Sequence, residues 1–207
     1  MAQSSRRDEL VDTALRLFYT RGFHATGIDT ILAEAGVAKM TLYKHFKSKD
    51  DLVLAALQLR DERFRNWLTT AMDNASDDPR EQLLALFDAL DDWFGERAMD
   101  QLGFHGCAFI KAASEYGAQD NPIHRASAVH KQMIVDYLRQ LAQAAGAANP
   151  EQLAEELALL KEGAIVTAQV RNVSNAAQRA KNMARILIDE ACGLEAGTGG
   201  RQPAGDR

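Results

Sequence analysis

The sequence has few of the residues that stabilise small secreted or metal-binding proteins. Its 207 residues include only two cysteines, Cys107 and Cys192, which lie far apart and outside any CxxC pair or Cys/His ladder. This excludes a disulfide framework and argues against structural zinc, so we expect reduced thiols, no metal and no cofactor. Long hydrophobic runs are also lacking, and Asp8 and Glu9 precede the first apolar stretch. We therefore expect a cytoplasmic protein with no signal peptide and no membrane partner.

Helix-breaking residues and strand patterns are scarce as well. The four prolines all stand beside loop-type residues, and apolar residues between them recur at helical spacing. No long run of Val, Ile and Thr is bounded by turn residues. Hydrophobic residues make up 46% of the chain and charged residues 26%, as in ordinary globular proteins. The sequence therefore predicts a folded, all-α protein.

The spacing of apolar and capping residues predicts the helices one by one. The first helix runs over 6–21 and stops at Gly22, and a short second helix begins with Thr26 as its cap and stops at Gly36. A third helix is predicted from Lys39 to Phe46, and a long fourth from a Ser48 cap to about residue 74. Further helices are predicted near 80–95, 105–116, 122–145, 151–172 and 175–192. The Gly-rich tail, 195–207, is predicted to be disordered.

Charge is distributed unevenly along the chain. The net charge is -5, from 24 Lys and Arg against 29 Asp and Glu. Residues 1–50, however, hold eight basic and six acidic residues, so their net charge is +2 and that of the remainder is -7. Residues 39–49 contain four lysines and a histidine but no acid. An interaction with a polyanion is therefore expected only at the N-terminal end.

Two short helices joined by a glycine-containing turn are typical of a helix-turn-helix, whose second helix enters the DNA major groove. Leu42 and Phe46 are one turn apart and can face inward with Val37. The outward side chains can then donate to phosphates or touch base edges, and Thr26 and Lys49 offer further phosphate contacts. The predicted DNA-binding residues are Thr26, Lys39, Met40, Thr41, Tyr43, Lys44, His45 and Lys49.

The segment GFHATGIDTILAEAGVAKMTLYKHFKSKDDLV, residues 22–53, resembles the DNA-binding region of TetR-type transcriptional regulators throughout its length. The resemblance includes the Ala35-Gly36-Val37 turn, Thr41-Leu42-Tyr43 and the His45-Phe46 pair. Two positions differ from the commonest pattern, because many members have Ser or Thr at Ala38 and a small residue at Met40. Ala38 cannot cap the third helix with its side chain, and Met40 is expected to change base preference.

This resemblance implies a nine-helix protomer with two parts, a homodimer built mostly on the last two helices, and a ligand cavity in the larger part. We assign residues 1–48 to the DNA-binding part and 49–194 to the ligand-binding and dimerisation part. Two apolar stripes at helical spacing fit such a dimer seam, although each could equally face its own core. They consist of Leu153, Leu157, Leu160, Ala164, Ile165 and Ala168, and of Ala180, Ala184, Leu187 and Ala191.

The ligand cavity is less clearly indicated by the sequence, because aromatic residues belong to a core as readily as to a binding site. Cys107, Lys111 and Glu115 lie at i, i+4 and i+8; Lys111 and Glu115 are interpreted as a surface pair and Cys107 as lying close to the cavity. The predicted ligand-binding residues are Trp67, Phe87, Phe104, Cys107, Met133 and Tyr137.

Two other functions compete with this interpretation. A small enzyme could use His105 and Cys107, or His124, His130 and Glu115, but no metalloprotease motif, phosphate loop or nucleophile motif is present. An architectural DNA binder without an effector would not need so large an acidic C-terminal part. The favoured hypothesis is therefore a repressor that is not an enzyme. Its partners would be a palindromic double-stranded operator and a small molecule that releases it.

Overall fold

Nine helices and no strand make up the part of the chain that this computed structural model describes, residues 5–97 and 102–193. The disordered tail predicted at 195–207 lies outside these residues. The helices are α1 (Arg6–Arg21), α2 (Ile28–Ala35), α3 (Lys39–His45), α4 (Lys49–Ala75), α5 (Pro79–Phe94), α6 (Ala108–Glu115), α7 (Pro122–Ala144), α8 (Pro150–Arg171) and α9 (Ala176–Ala191). The prediction of an all-α fold is confirmed.

Local sequence explains where most helices begin. Ser5 and Ser48 accept hydrogen bonds from backbone N–H groups in the first turns of α1 and α4. Asp78, Asn121 and Asn149 cap α5, α7 and α8 in the same way, and each is followed by a proline in the first turn. Proline fits there because the first N–H groups of a helix have no partner within the helix.

Two predicted helix starts are wrong. The side chain of Thr26 does not cap α2, because the capping position is taken by Gly27, which has no side chain to offer. α6 begins at Ala108 rather than near residue 105. Gly106 lies immediately before Cys107, the N-cap residue of α6, and its φ of 83° belongs to the left-handed region, which a regular helix does not contain.

One continuous apolar core joins both parts of the chain. α1 packs against α2, α3 and the first half of α4, while α4 also contacts α5, α6 and α7. α8 and α9 pack on each other and against α7 and α5 respectively. No helix in residues 5–97 and 102–193 combines the length and apolarity needed to cross a bilayer.

The two stripes proposed for a dimer seam mostly face the protein's own core. Leu153 and Leu157 of α8 and Ala184 of α9 are all buried within the protomer. The exposed apolar side chains of these helices lie on their other faces, and Leu159, at 74% exposure, is prominent among them. The remaining exposed apolar residues of the two helices are Val166, Val170, Met183 and Ile186.

Candidate nucleic-acid interface and effector cavity

The turn between α2 and α3 is fixed by glycine and by apolar anchors. Gly36 has φ 65° and ψ 31°, a left-handed conformation that ends α2. Ile31 of α2 and Leu42 of α3 are fully buried, and Phe46 closes α3 against the same core. The short α3 is therefore held by packing on α1 and α2 rather than by its own few hydrogen bonds.

The outer face of α3 carries the predicted DNA-binding side chains. Lys39, Met40, Tyr43, Lys44 and His45 are exposed, and Tyr43 is 52% exposed although it is aromatic. Lys39 lies 3.6 Å from a carboxylate oxygen of Asp29, a surface pair that contributes little to stability. Thr41 is half-buried. This face combines three basic groups with one phenol and one thioether, which can bind both phosphates and base edges.

Thr26 occupies a different position from the one predicted. It is buried, and its hydroxyl donates to the carbonyl oxygen of Gly22 at 2.7 Å. The hydroxyl proton is thus already used inside the protein. What remains for a phosphate here is the start of α2, whose first turn receives no side-chain cap.

Lys49 stands at the first position of α4, beside the turn that follows α1. Its Nζ donates to the carbonyl oxygen of His24 at 3.3 Å, and the residue is only partly exposed. The side chain therefore ties α4 to the turn at 22–25 and places one positive charge near the α3 face.

A small cavity lies inside the larger part, among α4, α5, α6, α7 and α8. Its volume is about 10 Å³, room for one water molecule. Cys107, one of the predicted ligand-binding residues, lines it. The other lining residues are Arg60, Phe64, Trp93, Ala108, Phe109, His130, Lys131, Lys161 and Ile165.

The other five predicted ligand-binding residues do not line this cavity. Trp67 and Phe104 each pack against Trp93, with ring centroids 6.3 and 5.0 Å away. Phe87 is buried elsewhere in the core, and Met133 lies on the surface with 39% exposure. Tyr137 donates its hydroxyl to Asp73 at 2.5 Å, at the exposed side of α4 and α7.

Lysine side chains surround the thiol of Cys107. Lys131 Nζ lies 3.3 Å from Cys107 Sγ and 2.6 Å from Glu162 Oε2, and Lys161 Nζ contacts the other oxygen of the same carboxylate. Burial lowers the pKa of Lys161, and the neighbouring Lys131 lowers it further. Burial opposes the charge of Glu162 too, but the two ammonium groups outweigh it and hold its pKa below the ordinary value.

A second polar pair involves His130, which also lines the cavity. His130 Nδ1 is 2.7 Å from Asp61 Oδ1, and Arg65 binds both oxygens of that carboxylate. The imidazole ring stacks on Phe109 with 3.6 Å between ring centroids. Burial lowers the pKa of His130 to about 4 in spite of the Asp61 hydrogen bond, so the ring is neutral at pH 7 and donates from Nδ1.

α6 connects the cavity with the DNA-binding part. The interpretation of Lys111 and Glu115 as a surface pair is wrong, because both side chains bind backbone groups at the end of α1. Lys111 Nζ donates to the carbonyl oxygen of Tyr19 at 2.9 Å. Glu115 accepts from the N–H groups of Phe23 and His24 at 2.9 and 2.5 Å. The first turn of α6 lines the cavity, so one short helix contacts both sites.

Tyr19 of α1 makes a second set of contacts between the DNA-binding part and the region around α6. Its hydroxyl accepts from the N–H of His105 and donates to the carbonyl oxygen of Gly106, each at 2.9 Å. The guanidinium of Arg60, which lines the cavity, lies 4.7 Å from the centre of the Tyr19 ring. The DNA-binding part is thus anchored to the segment that leads into α6.

Nine of the ten residues that line the cavity are not among the predicted ligand-binding residues, and for one of the nine, Lys161, the sequence contains a signal. Lys161 stands between Leu157 and Ile165 in an otherwise apolar stripe, yet it is only 1% exposed. A charge at a core position of an amphipathic helix indicates a buried polar site. Arg60 has no comparable local signal, because arginine stems cover apolar surface on many helices.

Metal chemistry receives no support from the arrangement of side chains. Nowhere in the described part of the chain do three or more His, Cys, Asp or Glu residues lie close enough together to hold a metal ion. In the enzyme alternative His105 and Cys107 would act together, but the His105 ring packs edge to face on Tyr19, with 5.4 Å between ring centroids, and the Cys107 thiol contacts Lys131.

Comparison with known proteins agrees with this geometry. Residues 10–56 match the family model "Bacterial regulatory proteins, tetR family", and residues 79–184 match "Tetracyclin repressor-like, C-terminal domain". The HTH-type transcriptional activator FasR of Mycolicibacterium smegmatis is 37% identical over 93 residues, which are 45% of this chain and 42% of that protein. The HTH-type transcriptional repressor KstR2 of the same organism is 41% identical over 88 residues, 41% and 40% of the two chains. The match thus spans about two fifths of these curated relatives.

Solved structures are similar over a longer stretch. A TetR-family transcriptional regulator from Streptomyces coelicolor is 33% identical, with a TM-score of 0.81 over 92% of this chain and 97% of that one. A TetR regulator from Chloroflexus aurantiacus, at 23% identity, shares the fold with a TM-score of 0.76 over 89% and 94% of the two chains. The second family model alone matches just over half of the sequence. This chain therefore belongs to the TetR family of bacterial regulatory proteins.

Proposed function

We propose that this protein is a homodimeric, cytoplasmic repressor that binds a palindromic operator and leaves it when a small molecule binds the larger part. The observation that carries the proposal is the outer face of α3. Its anchors, Leu42 and Phe46, are buried, while basic and aromatic side chains stand exposed on a seven-residue helix. Exposed lysine, histidine and tyrosine at the second helix of a helix-turn-helix suit the DNA backbone and the major groove.

The proposed division of the chain is 1–48 for DNA binding and 49–194 for effector binding and dimerisation. The first part contains α1 to α3, and α4 begins at its boundary. The predicted contacts to DNA stay with Lys39, Met40, Thr41, Tyr43, Lys44, His45 and Lys49, and with the backbone at the start of α2 that follows Thr26.

An exposed groove across α8 and α9 supports the homodimer. The groove has a volume of about 320 Å³, and Leu159 and Met183 line its two sides. Both residues are exposed in the single protomer, as are Val170 and Ile186 on the same two helices. An apolar surface of this kind is usually covered by a partner, and a two-fold axis would bring the same groove of a second copy onto it.

Transmission from effector to operator would pass through α6. Its N-terminal end lines the cavity with Ala108 and Phe109, and its C-terminal end holds the turn after α1 through Glu115. A ligand releases DNA only if it binds the released conformation more tightly than the DNA-bound one. An occupied cavity that displaces α6 would supply that difference, because the α1 anchor would move with it.

Selection of duplexes from random DNA by the wild-type protein tests this function. We expect a two-fold symmetric site whose half-site centres are about one helical turn apart, roughly 34 Å, or somewhat more if the operator is long. A selected sequence without two-fold symmetry, or no enrichment at all, would contradict the proposal. The same selected duplex then serves to measure release by small molecules.

A further inference from the structure

The small cavity in the larger part has an unusual lining of charge. Lys131 and Lys161 line it together with Arg60, whose guanidinium also contacts the Tyr19 ring, and no acidic side chain of residues 5–97 and 102–193 does. His130, which also lines it, is neutral at pH 7 because burial lowers its pKa to about 4. The carboxylate beside His130 is engaged by Arg65 as well. Lys131 and Lys161 therefore bring two basic groups to a cavity deep in the core.

Two of these cations share a single carboxylate. Lys131 and Lys161 each contact one oxygen of Glu162, and Lys161 is among the largest fully buried side chains of the protein. A buried ammonium group costs several kcal/mol unless an opposite charge compensates it. The two lysines thus share one carboxylate, and a bound anion would give Lys161 a counter-charge of its own.

An unused hydrogen-bond donor lies in the same wall. Trp93 is 3% exposed, and its Nε1–H has no hydrogen-bond acceptor among residues 5–97 and 102–193. Buried indole N–H groups normally find a partner. A donor left without an acceptor next to a cluster of cations indicates a ligand that accepts hydrogen bonds.

The rest of the lining is aromatic and aliphatic. Phe64 meets Trp93 edge to face with 5.2 Å between ring centroids, and Phe109 and Ile165 complete the apolar wall. α6 also begins at this cavity, and its N-cap Cys107 gives no side-chain hydrogen bond to the first turn. The uncapped helix start adds partial positive charge to the same place.

We propose that this cavity binds an organic anion, an aryl carboxylate whose carboxylate group is held by Lys161 and the Trp93 indole N–H. Its ring lies among Phe64, Phe109 and Ile165. The proposal deepens the effector response proposed above, and its regulatory meaning rests on that function, whereas the binding itself does not.

Binding requires the cavity to enlarge, since its present volume admits only one water molecule. We infer that α6 is the wall that is displaced, because it is only eight residues long and its first turn lines the cavity. Movement of α6 would pull Lys111 and Glu115 away from the end of α1. Binding of the carboxylate would thereby change how the DNA-binding part is held.

Trp93 itself provides the test. The chain has two tryptophans, so protein labelled with nitrogen-15 in tryptophan gives two indole signals, and Trp67→Phe identifies that of Trp93. We expect benzoate, phenylacetate or phenylpropanoate to shift the Trp93 N–H signal downfield in a saturable way. The matched neutral amides should shift it at least about tenfold less effectively, because a hydrogen bond to a charged group is the stronger one.

Lys161→Met is the matching variant, and we expect it to weaken carboxylate binding by about tenfold or more. Methionine replaces the buried ammonium with an apolar chain of similar length, and Glu162 keeps Lys131 as its partner. Lys181→Met, which removes a lysine bound to Asp88 on the surface, is the control and should bind as the wild type does.

Each result decides the proposal. Amides that bind as tightly as the acids, full binding by Lys161→Met, or no saturable shift with any of the three acids would each overturn it. Operator release is measured separately by gel shift with the same compounds. Binding without release would contradict the proposed effector response and leave the site intact. Release of the operator by the amides alone would contradict the proposed carboxylate site and leave the proposed effector response intact.

Discussion

Tyr43 and Lys44 stand at the centre of the exposed α3 face, and neither makes a contact that the fold needs. We expect Tyr43→Ala and Lys44→Ala to weaken operator binding without changing the free energy of unfolding. The loss should be ~1–3 kcal/mol for a bidentate base contact and smaller for a phosphate contact. Gel shifts at physiological salt on the selected duplex measure the affinity.

Salt dependence separates the two kinds of contact. If Lys44 binds a phosphate, its alanine variant lowers the slope of log affinity against log salt by about one. Arg125→Ala, which removes an exposed positive charge from α7, is the control and should leave both affinity and slope unchanged. Normal affinity in both α3 variants would refute the assignment of this helix to the major groove.

His130 makes stability depend on pH in a defined window. Its folded-state pKa is about 4, below the ordinary 6.5, because burial disfavours the imidazolium. As the pH falls from 6.5 to 4, the unfolded chain binds a proton that the folded chain does not. The free energy of unfolding should therefore fall across this window, by about 3 kcal/mol in total from this residue.

His130→Gln should remove this contribution, and its amide can still donate to Asp61. Urea unfolding across the window should show a slope smaller than that of the wild type by up to about 1.4 kcal/mol per pH unit. His45→Gln, on the exposed face of α3, should keep the wild-type slope. Asp61, which is hydrogen-bonded to His130, titrates below this window, because the hydrogen bonds and charges of His130 and Arg65 outweigh burial and lower its pKa to about 2. Equal slopes in wild type and His130→Gln would show that the imidazole is not desolvated in solution.

At the scale of elements, α6 is held to the DNA-binding part by very few bonds. Glu115→Ala leaves the N–H groups of Phe23 and His24 without their carboxylate. We expect a loss of about 2 kcal/mol in the free energy of unfolding and faster amide exchange at these two residues. Glu155→Ala, at an exposed position of α8, should change neither quantity. Unaltered exchange at Phe23 and His24 would show that this contact does not anchor the turn.

Elements with their own signals could be predicted from the sequence, whereas contacts between elements could not. Gly36 ends α2 and Ser48 caps α4 as the local pattern requires. The outward face of α3 follows from Leu42 and Phe46 alone. Glu115 was misplaced because an i, i+4 pair with Lys111 satisfies every local rule, and only tertiary packing brings the end of α1 to both side chains.

The cavity could be predicted only in part for the same reason. Cys107, Met133 and Phe87 follow the same apolar pattern, but of these three only Cys107 lines the cavity. Which aromatic residues meet depends on the crossing of α4, α5 and α7, which no local window encodes. A lysine inside an apolar stripe, as at Lys161, is the sequence signal that would have located the site.

At the scale of the whole molecule, the exposed apolar faces of α8 and α9 predict a homodimer. We expect Leu159→Glu and Ile186→Glu to sediment as monomers at micromolar concentration and to lose operator affinity, because a carboxylate placed in an apolar interface is strongly unfavourable. Ala164→Glu is a less specific test, since Ala164 lines the groove but is only 5% exposed, so a glutamate there would also disturb packing within the protomer.

Val129→Glu is the matched control for these variants. It adds the same charge at an exposed apolar position, but on α7, so the dimer should persist. A wild-type protein that is monomeric at micromolar concentration, or a dimer unaffected by both substitutions, would rule out this seam.

The length of α4 has a mechanical consequence. Its 27 residues form one rod about 40 Å long, which begins beside the DNA-reading part at Lys49 and passes the cavity at Arg60 and Phe64. The arm from Arg60 to Lys49 measures roughly 16 Å. A tilt of α4 by about 5° at the cavity would therefore move its Lys49 end by roughly 1.4 Å. In a dimer the two Lys49 ends would move in opposite directions, so the distance between them would change by about 3 Å. This is close to the rise of one base pair, about 3.4 Å. A small tilt of α4 at the cavity is therefore enough to change the distance between the two DNA-binding parts, so that they no longer match the spacing of their half-sites on the double helix.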